Sequence, residues 1–367
     1  MTNGNVFTFK SDWQGKGLAV ESVQLPLVGT ELVIPDSHNG KPVREIKRLF
    51  PNESPEAKKL VRVTIPDSVV RLDGWAFENC ENLAEVQLSD KSKLGFIDRY
   101  AFWKCKSLAN INLPSTLTGI GESAFYGCES LKSIRFGESL ILMGERAFAR
   151  CTGLKKVTFV LDCNLPHIKP ETFEYCRNLE TVEFSRDIQE IQRNAFDSCS
   201  SLKNLIFPEG CELETIGKES FRYCSELASV SFANCMKLKY IEYWAFCGIK
   251  KLKRIEFPKG QQVYLQKDAI QGGVKKINYK SQGCYVATCV YGSYDCAPVW
   301  TLRRFRDEKL EKSLLGRAFI RLYYAVSPAI VRWFGKSKWF NGIFRPLLDV
   351  FVSRLNNAGY EDTPYND

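Results

Sequence analysis

The sequence predicts a repeat solenoid with a parallel β-sheet, followed by a small, mostly α-helical module. Three observations carry that prediction. A motif of the form Ala-Phe-x-x-Cys-x-x-Leu returns eight times, its Phe at Phe77, Phe102, Phe125, Phe148, Phe173, Phe196, Phe221 and Phe246, in steps of 25, 23, 23, 25, 23, 25 and 25 residues. After each motif come two apolar residues separated by one polar residue, beginning with Val86/Leu88 and ending with Ile255/Phe257. The repeat then stops near Tyr279, and the remaining residues are rich in aromatics and arginine. A period this regular means that each unit buries its apolar face against its neighbours alone, so function is expected on an extended surface.

Residues 1–65 read as a modified start of the stack. They carry a strand-like Leu32-Val33-Ile34, a turn at Asn39-Gly40 and an insertion before Leu60, Val63 and Ile65. Residues 66–280 hold the repeats. Their alternating pairs (Val86/Leu88, Ile111/Leu113, Ile134/Phe136, Val157/Phe159, Val182/Phe184, Leu205/Phe207, Val230/Phe232, Ile255/Phe257) mark one short strand per repeat, apolar side inward. A second apolar pair, such as Leu94/Ile97, Leu140/Met143 or Leu213/Ile216, leads to the next Phe and reads as a short helical turn or irregular side. The difference between 23 and 25 residues falls between the strand and this second pair, so length variation is confined to one face.

The segment IPDSVVRLDGWAFENCENLAEVQL, with its echoes LPSTLTGIGESAFYGCESLKSI and FPEGCELETIGKESFRYCSELASV, resembles the BspA-type leucine-rich repeats over roughly residues 30–280. That resemblance implies a curved, right-handed stack with a parallel sheet, used to bind other macromolecules, and names no particular ligand. Ile249 replaces the motif cysteine in the eighth unit, and a ninth unit (Leu265, Ile270, Ile277, Tyr279) is shortened. Such decay is expected of a terminal cap.

Seven of the fourteen cysteines occupy one structural position: Cys80, Cys105, Cys128, Cys151, Cys176, Cys199 and Cys224. In a stack they form a ladder whose Cβ vectors run side by side, so they are expected to be reduced, buried small hydrophobes. Cys163, Cys211 and Cys235 lie in the variable segments and read as incidental, exposed thiols. The first residues, MTNGNVFTFKSDWQGKG, contain no apolar leader core, and the expectation is a cytoplasmic protein without a signal peptide. The longest uncharged stretch, 281–294, has 14 residues, fewer than the roughly 18 that a transmembrane helix needs.

Residues 281–367 follow different rules. Cys284 to Thr288, Tyr291 to Ser293, Leu302 to Asp307, Gly316-Arg317 and Tyr323 to Pro328 together resemble the C-terminal element called the CFI-box, which implies no established activity. Cys289 departs from its pattern, which usually has alanine there. A helix is expected from Pro298, with Val299, Leu302 and Phe305 inward and Arg303, Arg304 and Arg306 outward. A second starts after Ser313 as N-cap, with Leu315, Phe319, Leu322 and Val326 as a packed apolar stripe, and is interrupted at Ser327-Pro328. Arg317 and Arg321 project away from that stripe. A third, broken by Gly342 and Pro346, carries Phe340, Phe344, Leu347, Phe351 and Leu355.

Residues 301–354 hold twelve Lys/Arg against four Asp/Glu, a net +8 of the chain's +9. Basic helices flanked by Trp300, Trp333 and Trp339 suit an anionic lipid surface as well as a protein, so Arg303, Arg304, Arg306, Arg317 and Arg321 are the candidate docking residues. For nucleic acid there is charge and no recognition motif, and none is expected as a partner. His38 and His167 stand about 130 residues apart without motif partners, and no phosphate loop, zinc motif or nucleophile elbow appears. Cys284, Cys289 and Cys296 form a weak metal signature, and Cys284 is a candidate reactive or lipid-acceptor thiol. No metal, cofactor or small-molecule substrate is expected, and a catalytic or processing tail is the lesser alternative.

What remains is the sheet. The residues flanking the inward strand positions must face outward, and they give the candidate partner surface: Glu85, Gln87, Asn110, Asn112, Arg135, Lys156, Thr158, Thr181, Glu183, Asn204, Ser229, Ser231, Arg254 and Glu256. Seven steps of about 4.8 Å make this a mixed-charge stripe about 35 Å long. The reading that follows is a non-enzymatic protein that presents this stripe to a protein partner, with the basic tail docking or anchoring it.

Overall fold

The computed structural model describes residues 3–258, 263–266, 268–270, 276–277, 287, 290–291, 296–310, 312–334 and 338–363, with backbone alone at 276–277, 321, 324–325, 328–334 and 338–339. The chain divides into two compact units, Met1–Tyr279 and Lys280–Asp367.

The first unit is a parallel solenoid whose turns are joined on three sides. On the first side run the strands that the alternating pairs foretell. Glu31–Val33, Arg62–Thr64 and Glu85–Gln87 pair in parallel register, as do Ser133–Phe136, Lys156–Phe159, Thr181–Glu183 and Asn204–Ile206, and then Ser229–Ser231, Arg254–Glu256 and Lys276–Ile277. Their central residues, such as Val86, Val157 and Val182, are buried, and their flanking residues face out.

The second side corrects the sequence reading. Where a helical turn or irregular side was expected, two-residue strands form a second parallel ladder: Arg71–Leu72, Phe96–Ile97, Gly119–Ile120 and Leu142–Met143, then His167–Ile168, Glu190–Ile191, Thr215–Ile216, Tyr240–Ile241 and Tyr264–Leu265. Most offer the core a single side chain, such as Ile97, Ile120 or Met143. Two residues are enough because stacking neighbours supply the backbone partners that a longer strand would find in a hairpin.

The third side is the turn that carries the repeated Phe. Two positions per turn, two before and two after the Phe, have positive φ: Trp75 and Asn79, Tyr100 and Lys104, Arg146 and Arg150, Glu171 and Tyr175, Asn194 and Ser198, Glu219 and Tyr223. Left-handed backbone costs a non-glycine residue about 1–2 kcal/mol. Here it aims amide groups at the next turn: the N–H of Lys104 donates to the carbonyl of Tyr126 at 2.7 Å, Arg150 to Glu174 at 2.8 Å and Ser198 to Arg222 at 2.8 Å. The strain is offset by a third ladder of backbone hydrogen bonds.

Inside this triangle the rings of Phe77, Phe102, Phe125, Phe148, Phe173, Phe196, Phe221 and Phe246 stack with centroids 4.9–5.5 Å apart. The seven ladder cysteines are buried and free. So are Cys163, Cys211 and Cys235, contrary to the exposure expected of them. Their segments look like surface connectors in sequence, yet each thiol turns inward and fills core volume. At the N-terminus an antiparallel hairpin, Phe7–Ser11 with Leu18–Val23, lies on the edge of the second ladder. A second tight hairpin, Ser37–His38 with Lys41–Pro42, turns at Asn39-Gly40, both at positive φ.

In the second unit α1 (Ala297–Phe305) continues into a π-helical turn (Arg306–Leu310), followed by α2 (Leu314–Phe334) and α3 (Lys338–Asn357). Ser313 caps α2 as expected, its Oγ accepting the N–H of Gly316 at 2.9 Å. Two expected breaks are absent. Helix α2 runs through Ser327-Pro328, and α3 runs through Gly342 and Pro346. A proline removes one backbone donor from a long helix, and the flanking turns hold the rest together. A small core of Ala287, Val299, Leu302, Val352 and Leu355 joins α1 to α3.

Candidate functional site

The outward stripe of the first sheet is zipped in some places and open in others. Arg62 pairs with Glu31 at 2.6 Å and with Glu85 at 2.7 Å, while Gln87 takes hydrogen bonds from Thr64 and gives one to Glu85. Further along, Lys156 pairs with Glu183 at 2.7 Å, Thr158 donates to Glu183, and Asn204 donates to Thr181. At the far end Ser231 donates to Glu256, which also pairs with Arg254 at 3.5 Å. These contacts follow the strand register, in which Lys156 lies opposite Thr181 and Thr158 opposite Glu183. Both carboxylates are held below their ordinary range by their bonds, Glu85 chiefly by Gln87 and Arg62, Glu183 chiefly by Lys156.

The sheet itself is interrupted twice, at the turn holding Asn110, linked by a lone bridge to Glu85, and between Asn204–Ile206 and Ser229–Ser231. The side chains around these interruptions are the open ones. Among the described residues, Asn110, Asn112, Ser133 and Arg135 make no side-chain hydrogen bond or ion pair and are exposed, as is Ser229; Ile206, on the strand before the second interruption, is an exposed hydrophobic residue. A partner that binds here removes water from polar groups without breaking bonds already made, which is the cheaper exchange. A groove of about 820 Å³ borders the opposite end of the stripe, lined by Thr64, Gln87, Asp67, Ser89 and Lys93 among others.

The sequence reading missed a second surface feature. On the turn side, Trp75 stacks on Tyr100 with centroids 5.6 Å apart, and Trp103 on Tyr126 at 6.3 Å. Arg99 lies 4.6 Å over Trp75 and Lys104 4.0 Å over Trp103. These aromatics sit two before and one after the repeated Phe, so aligning the repeats on that Phe would have brought them out. Stacked on one another and capped by cations, the rings offer edges more than open faces.

The tail arginines do not stand as expected. Arg303 is buried, Arg304 donates to the carbonyls of Glu361 and Thr363 at 2.5 and 3.0 Å, and Arg306 pairs with Asp307. They belong to the structure of the unit because α1 is covered on both flanks: Thr301 also bonds Asn356, and Phe305 meets Phe351 and Tyr360 edge to face. Arg317 is exposed, while the side chain of Arg321 lies outside the described residues. So do Cys284 and Cys289. The stripe of α2 reverses its expectation altogether: Leu315, Phe319, Leu322 and Val326 are 86, 57, 64 and 45% exposed.

His38 stacks on Phe9 with centroids 4.2 Å apart, and His167 Nδ1 lies 3.5 Å from Glu190. Among the described residues no three His, Cys, Asp or Glu are grouped to hold a metal ion, and no helix is long and apolar enough to cross a membrane.

Stacked parallel turns of 23–25 residues, with an inward Phe, Cys and Leu and an outward polar stripe, define a leucine-rich-repeat solenoid. The sequence matches the BspA type leucine rich repeat region in six copies over residues 51–165 and 158–278, and the chain belongs to that family. Among solved structures it is similar to a leucine-rich repeat protein from Bacteroides ovatus, with 23% identity, 72% of this chain and 79% of that one covered, and a TM-score of 0.51. It is also similar to a leucine-rich repeat protein of T. pallidum, with 28% identity over 59% of this chain and 96% of that one, at a TM-score of 0.49. The first of these likenesses shows the fold. No curated protein matches the chain.

Proposed function

We propose that this is a non-enzymatic interaction protein, whose first sheet receives a protein partner while residues 280–367 dock the complex elsewhere. The observation that carries the reading is the coincidence of open side chains with open backbone: Asn110, Asn112, Ser133 and Arg135 are exposed and unbonded at an interruption of the sheet, between two zipped stretches. The rest of the outward stripe serves as its rim. Regular turns fix the spacing of these groups, so the surface is rigid before binding and little ordering entropy is lost. Ten buried free thiols support a reducing compartment such as the cytoplasm, where such a chain keeps its cysteines unpaired.

The test is capture from host lysate with the full-length protein as bait. A variant combining Asn112→Arg and Arg135→Glu is expected to lose the captured protein. Leu142→Ser, on the second ladder, is expected to keep it. Equal capture by both variants would sink the assignment of the binding face.

A further inference from the structure

The tail leaves apolar surface uncovered that a soluble helical unit ordinarily buries. On α2, Leu315, Phe319, Leu322 and Val326 follow one another at helical spacing and are all exposed. On α3, Ile343, Leu347 and Val350 do the same, on a face other than the one that packs Val352 and Leu355 against α1. Between the helices lies a cavity of about 360 Å³, lined by Leu302, Phe305, Leu310, Phe319, Ile320 and Phe351. Phe319 and Phe351 are both more than 40% exposed, so the cavity opens on the same uncovered surface.

Charge identifies what covers it. Residues 301–354 carry a net +8, which opposes the pairing of two copies through this face and favours an anionic occupant. Cations border the apolar face: Lys312 immediately before α2 and Arg354 one turn after Val350, both exposed. Neither helix is long and apolar enough to cross a membrane. An apolar helical stripe bordered by Lys and Arg sinks about 5–10 Å into the boundary between headgroups and acyl chains. A fluid lipid chain also enters an irregular cavity, which a protein partner fills only with a matching side chain.

We infer that the exposed apolar stripes of α2 and α3 are a docking surface for an anionic lipid bilayer: they enter the leaflet, an acyl chain occupies the cavity, and Lys312 and Arg354 meet the anionic headgroups. The inference rests on the docking role proposed for the tail, and names what the tail docks on.

The experiment is flotation of the full-length protein with vesicles of phosphatidylcholine alone, or with about one third phosphatidylglycerol. Expected is flotation with the anionic vesicles at about 0.15 M salt, none with the neutral ones, and loss at about 1 M, as the Debye length shrinks from about 8 Å to about 3 Å. Phe319→Ser with Leu322→Ser should lower the partition coefficient at least about tenfold, since each removes exposed apolar surface. Circular dichroism of that variant should be unchanged. Lys312→Glu with Arg354→Glu should weaken binding to anionic vesicles by about tenfold. The inference is overturned if the wild type stays unbound at any salt, floats equally with both vesicles, or floats undiminished with Phe319 and Leu322 replaced. It is likewise overturned if those substitutions instead dissolve a dimer seen in sedimentation. Capture of a protein on the repeat face by a chain that does not float would sink the lipid surface and leave the partner face standing.

Discussion

The thiol of Cys176 donates to the carbonyl oxygen of Phe148, 3.2 Å away in the preceding turn, and the same oxygen accepts the backbone N–H of Cys151, also at 3.2 Å. The pattern repeats through the ladder, from Cys105 with Phe77 at 3.2 Å to Cys224 with Phe196 at 3.3 Å. From Cys105 to Cys224, each ladder cysteine therefore satisfies a carbonyl of the preceding turn while filling space as a hydrophobe. Alanine does neither, and serine brings a stronger dipole into a dry core.

Cys176→Ala is accordingly expected to cost about 1–3 kcal/mol, the sum of a small cavity and a half-satisfied carbonyl. A urea titration should show a lower midpoint with an unchanged slope. A loss below about 0.3 kcal/mol would mean that the S–H bond and its packing carry no weight.

Thiol labelling gives the companion expectation. The ten buried cysteines should resist a bulky disulfide reagent in the native state and react on unfolding. Burial pushes the Cys163 thiol up to about 11, so its thiolate is scarce at neutral pH even apart from access. Prompt reaction of Cys163 in the folded chain would contradict its place in the core.

Phe148 lies between Phe125 and Phe173, with ring centroids 4.9 and 5.5 Å away, and meets Phe136 edge to face. Phe148→Ala should cost about 3–5 kcal/mol, because neighbours held by three ladders cannot collapse into the space. Lys156→Ala removes only a partly exposed ion pair with Glu183 and should cost under about 1 kcal/mol. Similar losses from both in the same denaturation assay would refute the register.

The repeated Phe, Cys and Leu were legible because they recur in register, and with them the first sheet and its outward stripe. The second ladder was not, because two-residue strands such as Phe96–Ile97 are too short to show alternation and give the core one residue apiece. Nor was the left-handed turn, since Trp75, Arg146 and Tyr223 carry no propensity signal for positive φ. In the tail, helical periodicity located an apolar stripe at Leu315, Phe319 and Leu322 but contained nothing about what covers it. Arg303 and Arg304 misled for a related reason: a wheel diagram assigns faces to one helix, and residues 360–363 return to cover the side that looked free.

Gly316 tests the tail locally. A Cβ added there would stand 2.0 Å from the carbonyl oxygen of Leu310, backbone that has no room to yield. Gly→Ala inside a helix ordinarily gains about 1 kcal/mol. Gly316→Ala is expected to do the reverse, loosening α2 from the π-helical turn and raising its rate of proteolysis, with the repeats unaffected. A more protease-resistant tail would show that the contact is not tight.

Glu45 provides the pH-dependent expectation. It is 2% exposed beneath the N-terminal hairpin, where it accepts the N–H of Trp13 at 3.3 Å and faces Arg71 at 3.8 Å. Burial, and then the negative charge of Asp73, push its carboxyl above the usual range, outweighing the opposite pull of Lys47, the Trp13 amide and Arg71. The folded state thus holds this proton more tightly than the unfolded state, whose Glu titrates near about 4.3. Its contribution to stability is fully present below that unfolded value and is lost as pH rises through the higher folded value. Glu45→Gln keeps an acceptor for Trp13 and has no charge to bury, so its stability relative to wild type should improve as pH rises from about 4 to 7. Hydrogen exchange of the Phe7–Val23 hairpin amides would follow this locally. A difference between the two proteins that stays flat with pH, or falls, would show that the Lys47 and Arg71 charges, and not burial, set the ionisation of Glu45.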